Sequence, residues 1–417
     1  MCVRILISSS LLAILVLALT ASGSASAKEI RVHAGQSIQA AIDQAKPGDV
    51  VAVEPGNYQE TGRPCPSSPS DTCALVVTTD DIRLFGMGGD DDHDGDHHQG
   101  DQGGQGDHGH GHDAAAKSDH GSKPHRVVLT PMGDQDRGIE VARPGADGAQ
   151  CLDDQSQRLQ KFSIRGFTVN GFADDGIFIF CVDDWQIREV SANDNGEYAL
   201  FPSHTRHGRI TRSIATGAHD TGIYIGQSFD ARIDHNVSTK NVSGYELENS
   251  SNMRLDHNSS FKNTAGILTF ANPGLDVHVN ENNRIDHNFV VGNNAPNTCI
   301  DPNDEVCQVP SGTGILLLAT DSNTVQNNWV LNNDSYGIGT ISQCTLDAST
   351  CHSLDVDPDP DHNVIAHNFV QGNGSSPDPL VPPLFAVDLA WDVTGTGNCW
   401  SHNKAGTTFP DPLPECP

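Results

Sequence analysis

Three acids, Asp174, Glu197 and Asp220, recur at intervals of 23 residues, each ten places after an aliphatic residue (Ile164, Ile187 and Ile210). If the chain stacks these copies, neighbouring carboxyls stand roughly 5 Å apart and the outer two roughly 9.5 Å apart, which spans the separations used in retaining and inverting glycoside hydrolysis. Carboxylates held so close repel one another, so one pKa rises into the range of a general acid, or the group draws in Ca²⁺. Aromatic residues keep the same step: Phe178, Phe201 and Tyr224, with Glu246 in the next copy. Arg206, His204, His207 and His219 lie nearby in sequence and offer a cation or a base. The chemistry this pattern suggests is sugar binding and cleavage, with Asp174, Glu197 and Asp220 as catalytic acids and Phe178, Phe201, Tyr224, Glu246 and Arg206 as the binding face. The competing reading is structural, because acids are ordinary corner residues and outward aromatics also support loops.

Those acids meet only if the repeat stacks. Its aliphatic anchors continue as Ile233, Leu255, Ile285, Val325 and Ile365, at intervals of 23, 22, 30, 40 and 40. An Asn stands three places after the anchor at Asn236, Asn258, Asn288, Asn328 and Asn368, with Asn403 in a last partial copy. Another stands eight places after it at Asn195, Asn241, Asn263, Asn293, Asn333 and Asn373. Gly-Ile segments such as GIYIG and GILTF follow each pair. Periods of this length mark stacked supersecondary units. Short strands broken by Asn and Gly corners make each unit one turn of a parallel β-coil, with like residues about 4.7 to 4.9 Å apart along the axis. The two Asn columns are then two corners of the coil, able to pass amide hydrogen bonds from turn to turn. A leucine-rich repeat shares the period, but its leucine spacing is missing.

Strand parity adds direction. With Ile177, Ile179, Ile223 and Ile225 pointing inward, Phe178, Phe201 and Tyr224 point outward in one column. The Asp-His-Asn trios at 234–236, 256–258 and 286–288 could suggest metal ligands, but they recur coil after coil as corners do, and a structural role is expected. Near the start, SIQAAIDQAKPGDVVAVEPGNY reads as a short amphipathic helix from about Ser37 to Ala45, a Pro-Gly turn and a strand. Ile38, Ala41 and Ile42 share one helix face, as a cap over the open end of a solenoid requires.

That opening, with GIYIGQS, NVSGYELENS and NTAGILTF, resembles exported bacterial right-handed parallel β-helix repeat proteins of the pectin-lyase-like superfamily. The resemblance implies a single all-β right-handed solenoid over most of the chain. The superfamily includes lyases, hydrolases, epimerases and non-enzymes, so the resemblance by itself selects no activity. Neither the polygalacturonase Asn-Thr-Asp motif nor the Asp-Pro-His-Asp motif of alginate epimerases is present.

The remaining segments bound the function. Residues 1–27 read as a secretory leader, with Arg4 before an apolar run and Ala25-Ser26-Ala27 at its end, and imply export to the periplasm or beyond. Without Cys2, ten cysteines remain, an even count that favours disulfides; nearest neighbours in sequence pair off without remainder. Cys299 with Cys307 and Cys344 with Cys351 fall inside the two 40-residue coils, where protruding loops can wall a groove. The net charge of −30 disfavours nucleic acid and anionic membrane, and no later stretch is long and apolar enough to span a bilayer. Residues 28–88 are read as cap and first coils, 89–125 as a disordered Asp/His/Gly-rich insert, and 126–417 as the body. His93, His97, His98, His108, His110 and His112 make the insert a candidate for loose Zn²⁺ or Cu²⁺ capture. The expected function is an exported protein acting on a polysaccharide or oligosaccharide, as hydrolase or lyase; a lyase would want a basic residue and calcium, with Arg206 the one candidate base. The alternative is a non-catalytic binding scaffold loading metal through the insert.

Overall fold

The computed structural model describes residues 27–88, 126–300, 302–349 and 351–417. Leader positions 1–26 and the insert at 89–125 lie outside the described residues. Three long sheets, of twelve, eleven and twelve strands, run side by side. Each coil contributes one strand to each sheet, as in Arg232–Asp234, Val237–Thr239 and Ser243–Glu248. Every strand pairing between coils is parallel; the one antiparallel pair joins Arg63–Pro64 to Thr72–Val77 at the N-terminal end.

The anchors fill the interior of the first sheet. Leu84, Ile164, Ile187, Ile210, Ile233, Leu255, Ile285, Val325, Ile365 and Trp400 lie in register, one per coil, and all are buried. Matching inward columns from the other sheets complete one continuous core. Parallel strands buried on the inner face favour such aliphatic runs, since flat β-branched side chains stack on their equals one rise above.

The corners are held by asparagine. Asn236 Nδ2 donates to Asn258 Oδ1 at 3.1 Å, and the chain continues through Asn288, Asn328, Asn368 and Asn403 at 3.0 to 3.1 Å. The second ladder runs from Asn241 through Asn263, Asn293, Asn333 and Asn373 and ends on Asp388 Oδ1 at 2.9 Å. Each rung also satisfies a backbone N–H of the turn below and a carbonyl of the preceding coil, as Asn258 does for Asn236 N and Ile233 O. A third ladder, Asn283, Asn323, Asn363 and Asn398, occupies the remaining corner two places before the anchor; the sequence reading did not identify it. The residue just before the first-corner Asn sits in the left-handed region, for example His235, His257 and His287 at φ near +58°.

The cap helix spans Ile38–Ile42, shorter than the expected segment, because Ser37 caps its start and accepts from Ala40 N. Ile38, Ala41 and Ile42 are buried in the core as expected. Five disulfides join Cys65–Cys73, Cys151–Cys181, Cys299–Cys307, Cys344–Cys351 and Cys399–Cys416, all nearest neighbours in sequence. No helix among the described residues is long and apolar enough to cross a membrane.

Candidate active site

The outer face of the third sheet carries the site. Register places Glu140, Phe178, Phe201, Tyr224, Glu246, Leu268 and Leu316 in one outward column, one residue per coil. A second outward column runs from Gly226 through Glu248 and Phe270 to Leu318. At Gly226 a methyl group would overlap the Tyr224 ring, so the glycine lets that ring lie flat and carry its hydroxyl across to Glu248. Phe178 and Phe201 are 4.6 Å apart, Phe201 and Tyr224 4.7 Å, and Tyr198 packs against both Phe201 and Tyr224 at 4.4 and 5.0 Å.

Loops turn this face into a cavity of about 790 Å³. The disulfide-tied loop at 292–312 supplies Asp304, Glu305 and Val306; the one at 342–363 supplies Leu346 and Leu354; the loop at 372–388 adds Val381 and Phe385. Both lengthened coils thus contribute to the walls. Glu197, Asp220, Glu246 and Glu248 reach the cavity from the coil itself, beside Tyr198 and Tyr224.

The three sequence-predicted acids stack as successive rungs, with Glu197 N donating to Asp174 O at 2.8 Å and Asp220 N to Glu197 O at 3.1 Å. Their surroundings differ. Asp174 lies outside the cavity lining, 3.4 Å from Arg137 Nε, and shares a hydrogen bond with Glu197. Partial desolvation, then the charge of Asp174 and that shared bond, then Asp220 and Asp304, push Glu197 up to about 7. Burial pushes Asp220 up to about 6 against the hydrogen bonds from Thr221 and Tyr198. Burial, opposed by bonds from Tyr224 and Asn272, pushes Glu248 up to about 7, and burial with the Asp220 charge carries Glu246 well above the usual carboxylate range.

The other predicted positions scatter. Phe178 and Phe201 keep to the outward column but lie outside the cavity lining, where the rings include those of Tyr198, Tyr224 and Phe270. Arg206 does not join the aromatic column: it lies at the corner leading to the first sheet, donates to Leu152 O at 2.8 Å and covers the Phe229 ring. His204 is buried against Phe180 with Nε2 3.1 Å from Asp276 Oδ2, and neither it nor His207 lines the cavity. His93, His97, His98, His108, His110 and His112 lie outside the described residues. Tyr198 and Glu248 complete the site although the sequence reading passed over them. Glu248 was within reach of strand parity, being two places beyond Glu246 on the same face. Asp175 was also missed: it is buried, 2.9 Å from Arg137 Nε, and burial and the Asp174 charge raise its pKa well above the usual range.

Donors for a metal are limited. Cys65, Cys73 and Glu140 gather closely enough, but the two sulfurs are bonded to each other, so the group has no thiolate to give a copper ion and does not fit one. The Asp-His-Asn trios form a structural ladder. His235, His257 and His287 stack at 5.1 and 5.0 Å, each with Nδ1 2.8 Å from the Asp before it.

A family model described as periplasmic copper-binding protein (NosD) matches residues 159–348. No curated protein matches the chain. Among solved structures, the A-module of the mannuronan C-5 epimerase AlgE6 from Azotobacter vinelandii is similar at 16% identity, with a TM-score of 0.55 over 88% of this chain and 89% of that one. The periplasmic alginate epimerase AlgG is similar at 15% identity and TM-score 0.51, over 86% and 76%. A DFA-IIIase from Arthrobacter chlorophenolicus A6 in complex with GF2 is similar at 14% identity and TM-score 0.50, over 89% and 84%. These identities carry architecture and not activity. With three parallel sheets, stacked corner ladders and these likenesses over most of its length, the chain is a right-handed parallel β-helix.

Proposed function

We propose that the protein is an exported saccharide hydrolase working at the cavity on the third sheet. The observation that carries the reading is the pair Glu197 and Asp220, successive rungs facing one aromatic-floored cavity with pKa values lifted to about 7 and about 6. Near neutral pH, Glu197 retains a proton for the leaving glycosidic oxygen, while the more readily ionised Asp220 acts on water or on the anomeric carbon. Asp174 is a positioning residue: tied to Arg137, it keeps Glu197 protonated by charge and hydrogen bond. Tyr198 and Tyr224 supply ring faces with hydroxyl tips, a combination suited to sugars. A lyase is less well supported, since no Lys, Arg or His lines the cavity among the described residues. Glu197, Asp220 and Asp304 do not bring their oxygens close enough together to hold a calcium ion as they stand.

The test is a polysaccharide panel scored for new reducing ends and for unsaturated products. Release of reducing ends is expected, falling at least ~100-fold in Glu197→Gln and in Asp220→Asn. Wild-type silence across the panel, or unchanged turnover in both variants, would sink the hydrolase.

A second reading rests on the NosD likeness over 159–348: a non-catalytic periplasmic scaffold that collects copper or zinc through the histidines at 89–125. Titrating Cu²⁺ and Zn²⁺ into full-length and insert-deleted protein tests it, and equal binding by both forms would remove it.

A further inference from the structure

Several buried carboxylates in this protein meet a guanidinium, and the acids of the cavity do not. On the first sheet, Asp234, Asp256 and Asp286 are buried and each meets a guanidinium, from Arg209, Arg232 and Arg284 at 2.7 to 2.9 Å. Elsewhere, Asp183 meets Arg158 at 2.6 Å and Asp175 meets Arg137 at 2.9 Å. The cavity gathers Glu197, Asp220, Glu246, Glu248, Asp304 and Glu305, and no Lys, Arg or His stands among its described lining residues. Glu246 is only 5% exposed, between Tyr224 and Leu268 in its column, and its neighbours in reach are the hydroxyls of Ser243 and Thr221. Glu246 is buried, Asp220 and Glu248 are half-buried, and their partners are hydroxyls and an amide, so a cavity of about 790 Å³ lined with these acids and tyrosine rings has room for a counter-charge that a ligand can bring.

We propose that this ligand is an oligosaccharide bearing free amino groups, its ammonium ions seated between the carboxylates of Asp220, Glu246 and Glu248 and the rings of Tyr198 and Tyr224. The proposal rests on the saccharide reading above and narrows it. An ammonium ion satisfies the acids by charge and hydrogen bond and meets the electron-rich ring faces by cation–π attraction. The sugar's apolar face lies on the aromatic floor. A polyuronate meets like charge wherever these acids ionise and finds no cation among the described lining residues, so it is disfavoured. Because Glu197 and Glu248 hold protons up to about pH 7, and Asp220 up to about 6, seating a cation near pH 6 expels protons into the buffer.

Calorimetric titration of the full chain decides the matter, with four probes: a glucosamine oligosaccharide, its N-acetylated counterpart, an oligomannuronate and CaCl₂. The amine form is expected to bind at least ~10-fold more tightly than the N-acetylated form, to weaken as salt rises, and to give heats that depend on the buffer's ionisation enthalpy. Glu246→Gln and Asp220→Asn should each remove most of that preference, with thermal unfolding followed alongside to show that the variants are folded. Equal binding of the N-acetylated form overturns the amine proposal and leaves a neutral-saccharide site standing. Tightest binding of the oligomannuronate overturns it as well. If no saccharide binds, or only Ca²⁺ does, this proposal and the saccharide reading fall together.

Discussion

Two groups of acids meet opposite fates on two faces of the same solenoid. On the first sheet, burial opposes the charge of Asp234, but hydrogen bonds from Arg209, His235 and Thr211 outweigh it and hold the carboxyl down at about 2. Asp256 and Asp286 are lowered in the same way by Arg232 and His257, and by His287, Arg284 and Arg254. On the third sheet, Glu197, Asp220, Glu246 and Glu248 have hydroxyls, rings and one another as neighbours, and all are raised. Stacking delivers acids at one-coil spacing in both places. What separates the lowered acids from the raised ones is the net balance of burial against donors: two or more charged or hydroxyl donors converge on each first-sheet acid, whereas Asp174 and Asp175 share the single Arg137 and the cavity lining holds no cation among the described residues.

The sharpest way to break this contrast is to neutralise one acid from each group and compare unfolding free energies at pH 8. Asp256→Ala should cost about 2 to 3 kcal/mol, because it strands Arg232, Arg254 and His257 at once, although these partners regain some water at the surface. Asp220→Asn keeps the hydrogen-bonding shape while removing a charge the fold tolerates poorly, and should raise stability by on the order of 1 kcal/mol. Equal losses in both variants would show that the two groups are alike.

pH offers a milder test. The cavity acids release protons near pH 4 in the unfolded chain and near 6 to 7 in the folded one. Between those values the folded chain holds more protons, so stability contributed by these groups falls as pH rises through that window. The first-sheet acids act with the other sign: their contribution is present above about pH 4 and is lost as pH falls toward 2. Denaturant midpoints are therefore expected to peak near pH 4 to 5, and the alkaline slope should flatten in Glu248→Gln. A midpoint that rises steadily from pH 5 to 8 would contradict the assignment.

The smallest expected effect lies at the histidine corner. His257→Asn should change stability by less than about 0.5 kcal/mol, since Asn tolerates the left-handed backbone and Asn327 already occupies the equivalent corner two coils on, at φ +55°. A loss above 2 kcal/mol would mean that the imidazole stack itself supports the first-sheet column.

Much of this was legible from spacing. The 23-residue step put Asp174, Glu197 and Asp220 on successive rungs, and parity aligned Phe178, Phe201, Tyr224 and Glu246. The third Asn ladder was equally periodic, at Asn283, Asn323, Asn363 and Asn398, but it appears only in the later coils; two places before the anchor the earlier ones carry Ala231 and Met253, which hid the column. Arg206 looked like a partner for the acids because it is near them in sequence. The coil sends it round a corner instead, to Leu152 and Phe229.

By itself the sequence determined the solenoid, because periodicity is a local code: a strand has a period of two, a corner needs a residue at ease in the left-handed region, and a stack needs its equal one turn later. It suggested nearest-neighbour cysteine pairing without deciding it; the structure joins those neighbours, four of them across spans of 7 to 17 residues and Cys151–Cys181 across 30. Only the tertiary structure decided which acids share a cavity. Asp174 fell to Arg137, a residue one coil back, while loops reaching from 292–312, 342–363 and 372–388 folded over Glu197 and Asp220. Desolvation depends on everything that covers a group, and the loop residues that cover these acids stand far from them in the chain, as Asp304 and Leu346 do from Asp220.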